Sequence, residues 1–562
     1  MHEMLDWWLN LNKNLDSQKL STQEKNRLLY IELSRLHLDP TKWRAWGKQL
    51  LENGLDPFPY IYTPGIGTAI LAHKEGFDID SQIPKSIKPL DIIADPQNFD
   101  EKKIKEIILQ KASKLYRLYQ PAKTFDLNKS NPLSDWGVVI TNKRRVLGFG
   151  EVPDGGEWIV RGKVDCYEMA TEGKVSLMIP LAINVESIKK DEKLHDKYIS
   201  QVLLLLESLG VSFIQFEDFD GESAFRILEW SRQNLHTPVF NDDIEGTAWI
   251  ILLAKLAAYA RYPSLRFKDS LFIFHGGGGA AVGTANFLEK YLLKHYEEHN
   301  IPEASSLIHK QFLMTDSAGL LYEGRTVKSK GDKPEFKSFQ LPWVLKNPKL
   351  LSKINKNGGS VSLKETMEIL GPEILGPHGT IFLIGLSTCP DQFTELVIKT
   401  ARQVLDQHPE RKPLPLFIDS CSNPTYKTEI LTNQESQKFP SSSPEEKQQI
   451  ITKAIERIFT AADGRVCLTT GSPMHHPKYM VSQLNNFLGF PAAGLALLNY
   501  QLSTINSQLD INRLGESIAN TCLKFLIEKE KDRFDQGALC PTSKHLFELT
   551  QTAAQEGLAH QI

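Results

Sequence analysis

Cysteine is scarce and scattered. Its six copies, Cys166, Cys389, Cys421, Cys467, Cys522 and Cys540, include no C-x-x-C pair. That spacing excludes a disulfide framework and a zinc knuckle. Charge of one sign is also missing: 65 Lys and Arg stand against 68 Asp and Glu, a formal charge of −3. A general nucleic-acid binder would carry a basic excess, so nucleic acid is not an expected partner. There is no long hydrophobic run. The greasiest segment, Ala248 to Ala260, is too short to cross a bilayer and is interrupted by Lys255, so no membrane partner is expected. The opening MHEMLDWWLNLNKNLD has no basic start followed by an apolar run, hence no expected signal peptide and a cytoplasmic, reducing compartment by default. Nor is there an internal repeat or a long low-complexity tract.

What remains is a chain of 562 residues with ample apolar surface, 41% of residues, which argues against disorder. At ~100–200 residues per domain the length predicts roughly three to five compact units. Residues 1–120 read as a helical N-terminal region. In STQEKNRLLYIELSRL, Ser21 and Glu24 offer a capping box. WGVVITNKRRVLGFGE (Trp136 to Glu151) reads as two strands around a turn at Asn142 and Lys143. VSFIQFEDF and TPVF read as strands, and NDDIEGT as a loop opening the helix AWIILLAKLAAYA. From about residue 270, strand and helix alternate. The strands are apolar throughout, which predicts a parallel sheet covered on both faces. Ser443 and Pro444 predict a capped helix start. The fold class expected is therefore α/β.

Three features carry chemistry. In FIFHGGGGAAVG an apolar strand enters a glycine turn and a helix leaves it; Gly276, Gly278 and Ala281 fit G-x-G-x-x-A, the pattern that admits a pyrophosphate. Asp316 ends the next strand, FLMTD, where a carboxylate can accept from a ribose. Its separation from the glycines exceeds the usual ~20 residues, so a long crossover is required. The second feature is acidic: Glu217 and Asp218 end one strand, and Asp242 and Asp243 precede a helix. Carboxylates from separate segments suit a hard cation such as Mg²⁺ or Mn²⁺. Taken singly, Asp243 reads as a helix cap and the other two as solvated strand-end charges. The third is Lys163 in WIVRGKVDCY, a candidate base when set beside a metal and Arg161, but a surface lysine by default. Tyr62, Arg145, Asn423 and the pair Asn485-Asn486 are unremarkable alone: a loop anchor, a turn charge and turn formers.

Taken in order, YTPGIG, RVLGFGE, Gly162-Lys163, IQFEDF, FNDDIEGTA, the glycine turn, TDSAGL, SNPT, TGSP and QLNNFLGFP resemble the malic enzyme family over roughly residues 60 to 500. The resemblance implies a helical N-terminal region (1–120), an α/β substrate and metal domain (121–240), a Rossmann-type dinucleotide-binding domain (241–484) and a completing segment (485–562). It implies Lys163 as general base, Tyr62 as general acid and Asp242 as the neighbour bonding the lysine. Glu217, Asp218 and Asp243 take the metal-ligand positions. Arg145, Asn423 and Asn486 take those that hold substrate. Gly276, Gly278, Ala281 and Asp316, with Asn423, take the cofactor positions. The implied reaction is oxidative decarboxylation of malate, or a similar 2-hydroxy acid, to pyruvate and CO₂ with NAD or NADP and Mg²⁺ or Mn²⁺. The implied assembly is a homodimer or homotetramer.

Two other readings share these motifs: malolactic conversion to lactate with bound NAD, and a non-catalytic dinucleotide-binding regulator. Asp316 favours NAD, whereas Arg325, Lys328, Lys330 or Lys333 would suit a 2′-phosphate. Several positions depart from the family pattern. GEVP stands for GDLG, so Glu151 and Pro153 are changed. Before the lysine, Trp158 and Val160 replace Gly and Pro, and with Glu157 and Arg161 they add bulk and charge near the expected base. Asn184, Glu186, Glu245 and Gly279 also differ. None removes a catalytic group; they bear on substrate preference, turnover and regulation.

Overall fold

The computed structural model describes residues 3–18, 20–62, 65–146, 149–326, 335–354, 358–502 and 509–559. Thr63 and Pro64 of the YTPG motif, Leu147 and Gly148 of RVLGFGE, and Lys328, Lys330 and Lys333 lie outside the described residues. Two compact units share the chain. The first is Met1–Asp243 with Phe487–Ile518 and Thr542–Ile562; the second is Ile244–Asn486 with Ala519–Pro541.

The first unit opens with helices Glu3–Ser17, Thr22–Leu36, Pro40–Glu52, Phe58–Ile61 and Gly65–Lys74. Their starts are written locally. The Ser21 hydroxyl accepts from the Glu24 amide at 3.2 Å while the Glu24 carboxylate takes the Ser21 amide at 2.8 Å, a complete capping box. Asp39 caps the next helix ahead of Pro40. A five-stranded sheet follows, made of β1 (Leu90–Ile93), β2 (Gly137–Thr141), β3 (Met178–Asn184), β4 (Phe213–Phe216) and β5 (Val239–Asn241). Its order is β1-β3-β2-β4-β5 and every pairing is parallel. β1 falls inside the stretch read from sequence as helical; it is a four-residue edge strand, too short to outweigh the helical pattern around it.

The hairpin expected at Trp136 to Glu151 is not formed among the described residues. β2 is flanked by the parallel strands β3 and β4, and beyond the turn Val146 makes only an isolated bridge to Gly150. The Arg145 amide instead donates to the Asp218 carbonyl at 3.1 Å, so the chain turns out of the sheet. The loop expected at NDDIEGT is also different: Asp242–Gly246 forms a wide π-helical turn that runs into the helix Thr247–Arg261.

In the second unit seven strands lie in the order β12-β11-β10-β9-β6-β7-β8. They are β6 (Leu271–His275), β7 (Phe312–Asp316), β8 (Gly319–Leu320), β9 (Ile381–Gly385), β10 (Leu416–Ser420), β11 (Val466–Thr470) and β12 (Val481–Gln483). All pair in parallel except the short edge strand β8. β6 to β7 is joined by two helices, Gly279–Glu298 and Ala304–Gln311, which is the long crossover that Asp316 requires. The chain runs outward from β6 on one side and returns to β9 on the other. Such a reversal opens a crevice at the carboxyl ends of β6 and β9, where doubly wound sheets take nucleotides. Helices Leu363–Ile374, Glu395–Asp406 and Pro444–Ala461 cover one face through Met367, Leu370, Ile398, Leu405, Ile455 and Ile458. Among the described residues no helix is long and apolar enough to cross a membrane.

The lysine interrupting the greasiest segment has a specific partner. Lys255 is buried and forms an ion pair with Asp419 of β10, whose other oxygen accepts from the Thr469 hydroxyl at 2.8 Å. Removing one partner leaves a buried charge uncompensated, so Asp419→Ala should destabilise the second unit by about 3–5 kcal/mol. Chemical denaturation is the check, with Lys255→Met added to Asp419→Leu recovering most of the loss.

Candidate active site

The first unit gathers six sequence-predicted residues around one helix. Trp158–Ala170 is buried along its whole length of 13 residues, including the four acidic and basic side chains Arg161, Lys163, Asp165 and Glu168. Lys163 Nζ donates to Asp242 and lies 3.2 Å from Glu217 Oε1. The ammonium also sits over two rings, 4.7 Å from the centroid of Tyr62 and 4.5 Å from that of Phe490. Gly162 makes the tyrosine contact close: a Cβ there would meet Tyr62 Cδ2 and Ile66 Cγ1 at 3.2 Å.

Glu217 and Asp218 leave the end of β4, and Asp243 sits in the π-helical turn. One carboxylate oxygen from each lies within 4.8 Å of the others. Asp243 does not cap the following helix, whose N-cap is Gly246; its Oδ2 accepts from the Asp218 amide at 2.7 Å. Asp218 holds a left-handed backbone, φ 55°, which an aspartate tolerates better than most residues. Arg145, whose backbone N–H donates to the Asp218 carbonyl, acts on the Asp243 carboxylate through its charge.

The electrostatics are those of a crowded acidic site with one lysine. Burial raises the Glu217 carboxyl well above the usual range against the pull of Lys163, and Asp243, Asp242 and Asp218 add repulsion. Burial likewise lifts Asp243 to about 6, against the opposing pull of Lys163. Burial alone would lower Lys163, but Asp242, Glu217 and Tyr62 outweigh it and hold the ammonium well above its ordinary value. Burial pushes the Tyr62 phenol up in turn. Three all-oxygen donors whose own charges repel are a donor set that suits a hard divalent cation, and Glu217, Asp218 and Asp243 are the residues that could hold one.

Of the altered positions before Lys163, Trp158 and Arg161 turn away from it. Trp158, Arg161, Asp165 and Glu168 follow one another at spacings of three and four, so they share a helical face nearly opposite Lys163. Trp158 Nε1 donates to His73 Nε2 at 3.1 Å. Arg161 donates to Asp165 and to His37 at 2.7 Å. Glu168 collects His37 at 2.9 Å, Arg44 at 3.2 Å and the Tyr119 hydroxyl at 3.0 Å. The bulk and charge of Trp158 and Arg161 thus fasten the Lys163 helix to the helical N-terminal region.

In the second unit, Gly276 follows β6 with φ 111°, and a Cβ there would lie 2.5 Å from Ser387 Cα. Backbone conformation and contact both demand glycine. Gly278 precedes the helix Gly279–Glu298, and Ala281 is buried on its first turn. Asp316 is clamped by Arg325, with Nη1 to Oδ1 at 2.9 Å and Nη2 to Oδ2 at 3.0 Å. Arg325 is itself buried and also donates to Glu335 and to the Gly319 and Leu320 carbonyls, so it holds Asp316 in place. Asn423 accepts from the Ser472 hydroxyl at 2.6 Å, and Asn486 donates to Thr247 Oγ1 at 3.1 Å. Glu429, which no motif singled out, accepts from the Ser387 amide at 3.0 Å, from the Ser420 hydroxyl at 2.7 Å and from Ser422. It ties the loops after β9 and β10 together, beside Gly276 and Asn423.

The family description "Malic enzyme, NAD binding domain" matches residues 244–438. The chloroplastic NADP-dependent malic enzyme of Zea mays is 24% identical over 557 residues, spanning 94% of this chain and 71% of its own length. The mitochondrial NAD-dependent malic enzyme of Solanum tuberosum is 25% identical over 438 residues, spanning 74% and 61%. The crystal structure of a malic enzyme from Entamoeba histolytica aligns at 18% identity with a TM-score of 0.49, covering 76% of this chain and 69% of that one.

The raised Asp243 carboxyl has a measurable sign. An aspartate titrating near 4 unfolded and at about 6 folded binds more protons in the folded state between those values. Metal-free protein should therefore lose stability as pH rises from about 4 to about 6. Asp243→Asn should flatten that slope in thermal melts taken across the window.

Proposed function

We propose that the chain is a malic enzyme and that it oxidatively decarboxylates malate to pyruvate and CO₂, using NAD or NADP and Mg²⁺ or Mn²⁺. The observation that carries this reading is the buried Lys163, bonded to Asp242 and facing three carboxylates suited to a cation. A 2-hydroxy acid needs a base at its hydroxyl, an acceptor for hydride, and charge stabilisation where the carboxyl group departs.

A divalent ion held by Glu217, Asp218 and Asp243 would supply Lewis acidity, and a nicotinamide dinucleotide held at Gly276, Gly278 and Ala281 would supply the hydride acceptor. The protein's part is proton handling and placement. Lys163 Nζ takes the hydroxyl proton, and Asp242 fixes the amine's position. Glu217 both raises the lysine's pKa and belongs to the cation-binding set. Charge drawn from Glu217 therefore shifts Lys163 toward a working base. Arg145 holds a substrate carboxylate as a cation, with Asn423 and Asn486 as polar contacts. After CO₂ leaves, Tyr62 gives a proton to the enol carbon of enolpyruvate. Burial keeps its phenol protonated until then. Gly276, Gly278 and Ala281 admit the pyrophosphate, and Asp316, oriented by Arg325, accepts from the adenosine ribose.

Purified protein supplied with L-malate, Mn²⁺ and either NAD⁺ or NADP⁺ should yield reduced cofactor and pyruvate in equal amounts. Lactate without net reduction would replace this reading with malolactic chemistry. Lys163→Ala should lower kcat by about 10²–10⁴-fold while Mn²⁺ binding, followed by calorimetry, persists. Tyr62→Phe should slow ketonisation of added enolpyruvate more than hydride transfer, which a deuterium isotope effect on malate oxidation would separate.

A further inference from the structure

The turn that carries Arg145 contains a buried lysine that the reaction does not use. Lys143 is 1% exposed and adopts a left-handed backbone, φ 61°, where glycine would fit without strain. Its Nζ lies 2.8 Å from Asp91 Oδ2 of β1 and 3.5 Å from Glu157 Oε2, at the start of the Lys163 helix. Its backbone is tied at both ends. The Lys143 amide donates to Thr141 Oγ1 at 3.0 Å, and its carbonyl accepts from the Val152 amide at 3.0 Å. The Gly155-Gly156 segment closes on it: a Cβ at Gly156 would meet Val152 O at 2.3 Å and Lys143 Cβ at 3.3 Å.

We infer that Lys143 is a positioning residue: its ammonium, clamped between Asp91 and Glu157, fixes the turn that presents Arg145 and ties that turn to the helix carrying Lys163. The inference rests on the malate reading of the site. Two residues after Lys143, the Arg145 amide bonds the Asp218 carbonyl. The clamp therefore reaches a substrate-binding candidate directly and a metal-binding candidate one bond further on. It also gives the glutamate of the altered segment a purpose. Glu157 answers the lysine across the turn and turns its charge away from the substrate. A residue serving only the backbone shape of this turn would be replaced by glycine at no cost, because glycine relieves the positive φ. The clamp predicts the opposite.

Steady-state kinetics on the full-length wild type and on Lys143→Gly and Lys143→Arg give the test. Lys143→Gly should raise the KM for malate about tenfold, with kcat changed less and the KM for the dinucleotide unchanged. Lys143→Arg, which keeps the cation, should restore most of the malate KM. An unchanged malate KM in Lys143→Gly, or an equal rise in both variants, overturns the inference while leaving the malate reading intact. Failure of the wild type to turn over malate overturns the reading and the inference with it. Should Lys143→Gly not fold, Asp91→Asn removes the nearer anion at a partly exposed position. It should raise the malate KM about threefold, and an unchanged value there counts against the clamp equally.

Discussion

A buried ammonium has to be answered by carboxylates, and much of the first unit is arranged to answer one. Lys163 lies on a helix with no solvent-facing side, so water cannot solvate its charge. Asp242 and Glu217 do so instead, arriving from two different strand ends. Their presence gives the carboxylate cluster its excess of negative charge, which is the raw material of a cation site. Lysine and carboxylate cluster are thus one electrostatic object. Neither can be altered without shifting the pKa of the other.

The same helix is held by charge on its far side. His37, Arg161, Asp165, Glu168 and Tyr119 form a buried network there, with Arg44 at its edge. Burying ions is costly unless each is paired and hydrogen-bonded, so such networks contribute more to a defined geometry than to net stability. Here the geometry concerned is the rotational setting of the helix. A small rotation would move Lys163 from Asp242 on one side and break the Arg161 contacts on the other.

Local patterns were the most legible part of the sequence. Capping at Ser21 and at Ser443, the apolar strands of the second unit and the strand–turn–helix around Gly276 all depend on neighbours within a few residues. The candidate carboxylates were legible as motifs, but their meeting depends on β4 and the π-helical turn, which spacing does not encode. The expected strand at Val146 failed because a β-branched residue beside a turn satisfies propensity, while tertiary bonding to Asp218 decided the path. Buried charges were the least legible. Lys143 and Lys255 look like surface residues until their partners Asp91 and Asp419, far away in sequence, are brought to them.

The way the chain is divided has a consequence for how it is made. The first unit is assembled from three separate stretches, and the second from two. The helix Leu546–Ala559 that packs on Phe490–Leu502 is synthesised only after all of Ile244–Asn486 has been made. During translation, the greasy surfaces these late helices cover must therefore wait bare while the parallel sheet of the other unit forms. Closing so long a loop is slow, and the exposed state is prone to association. The order of synthesis thus imposes an interval of bare apolar surface that the finished molecule no longer shows.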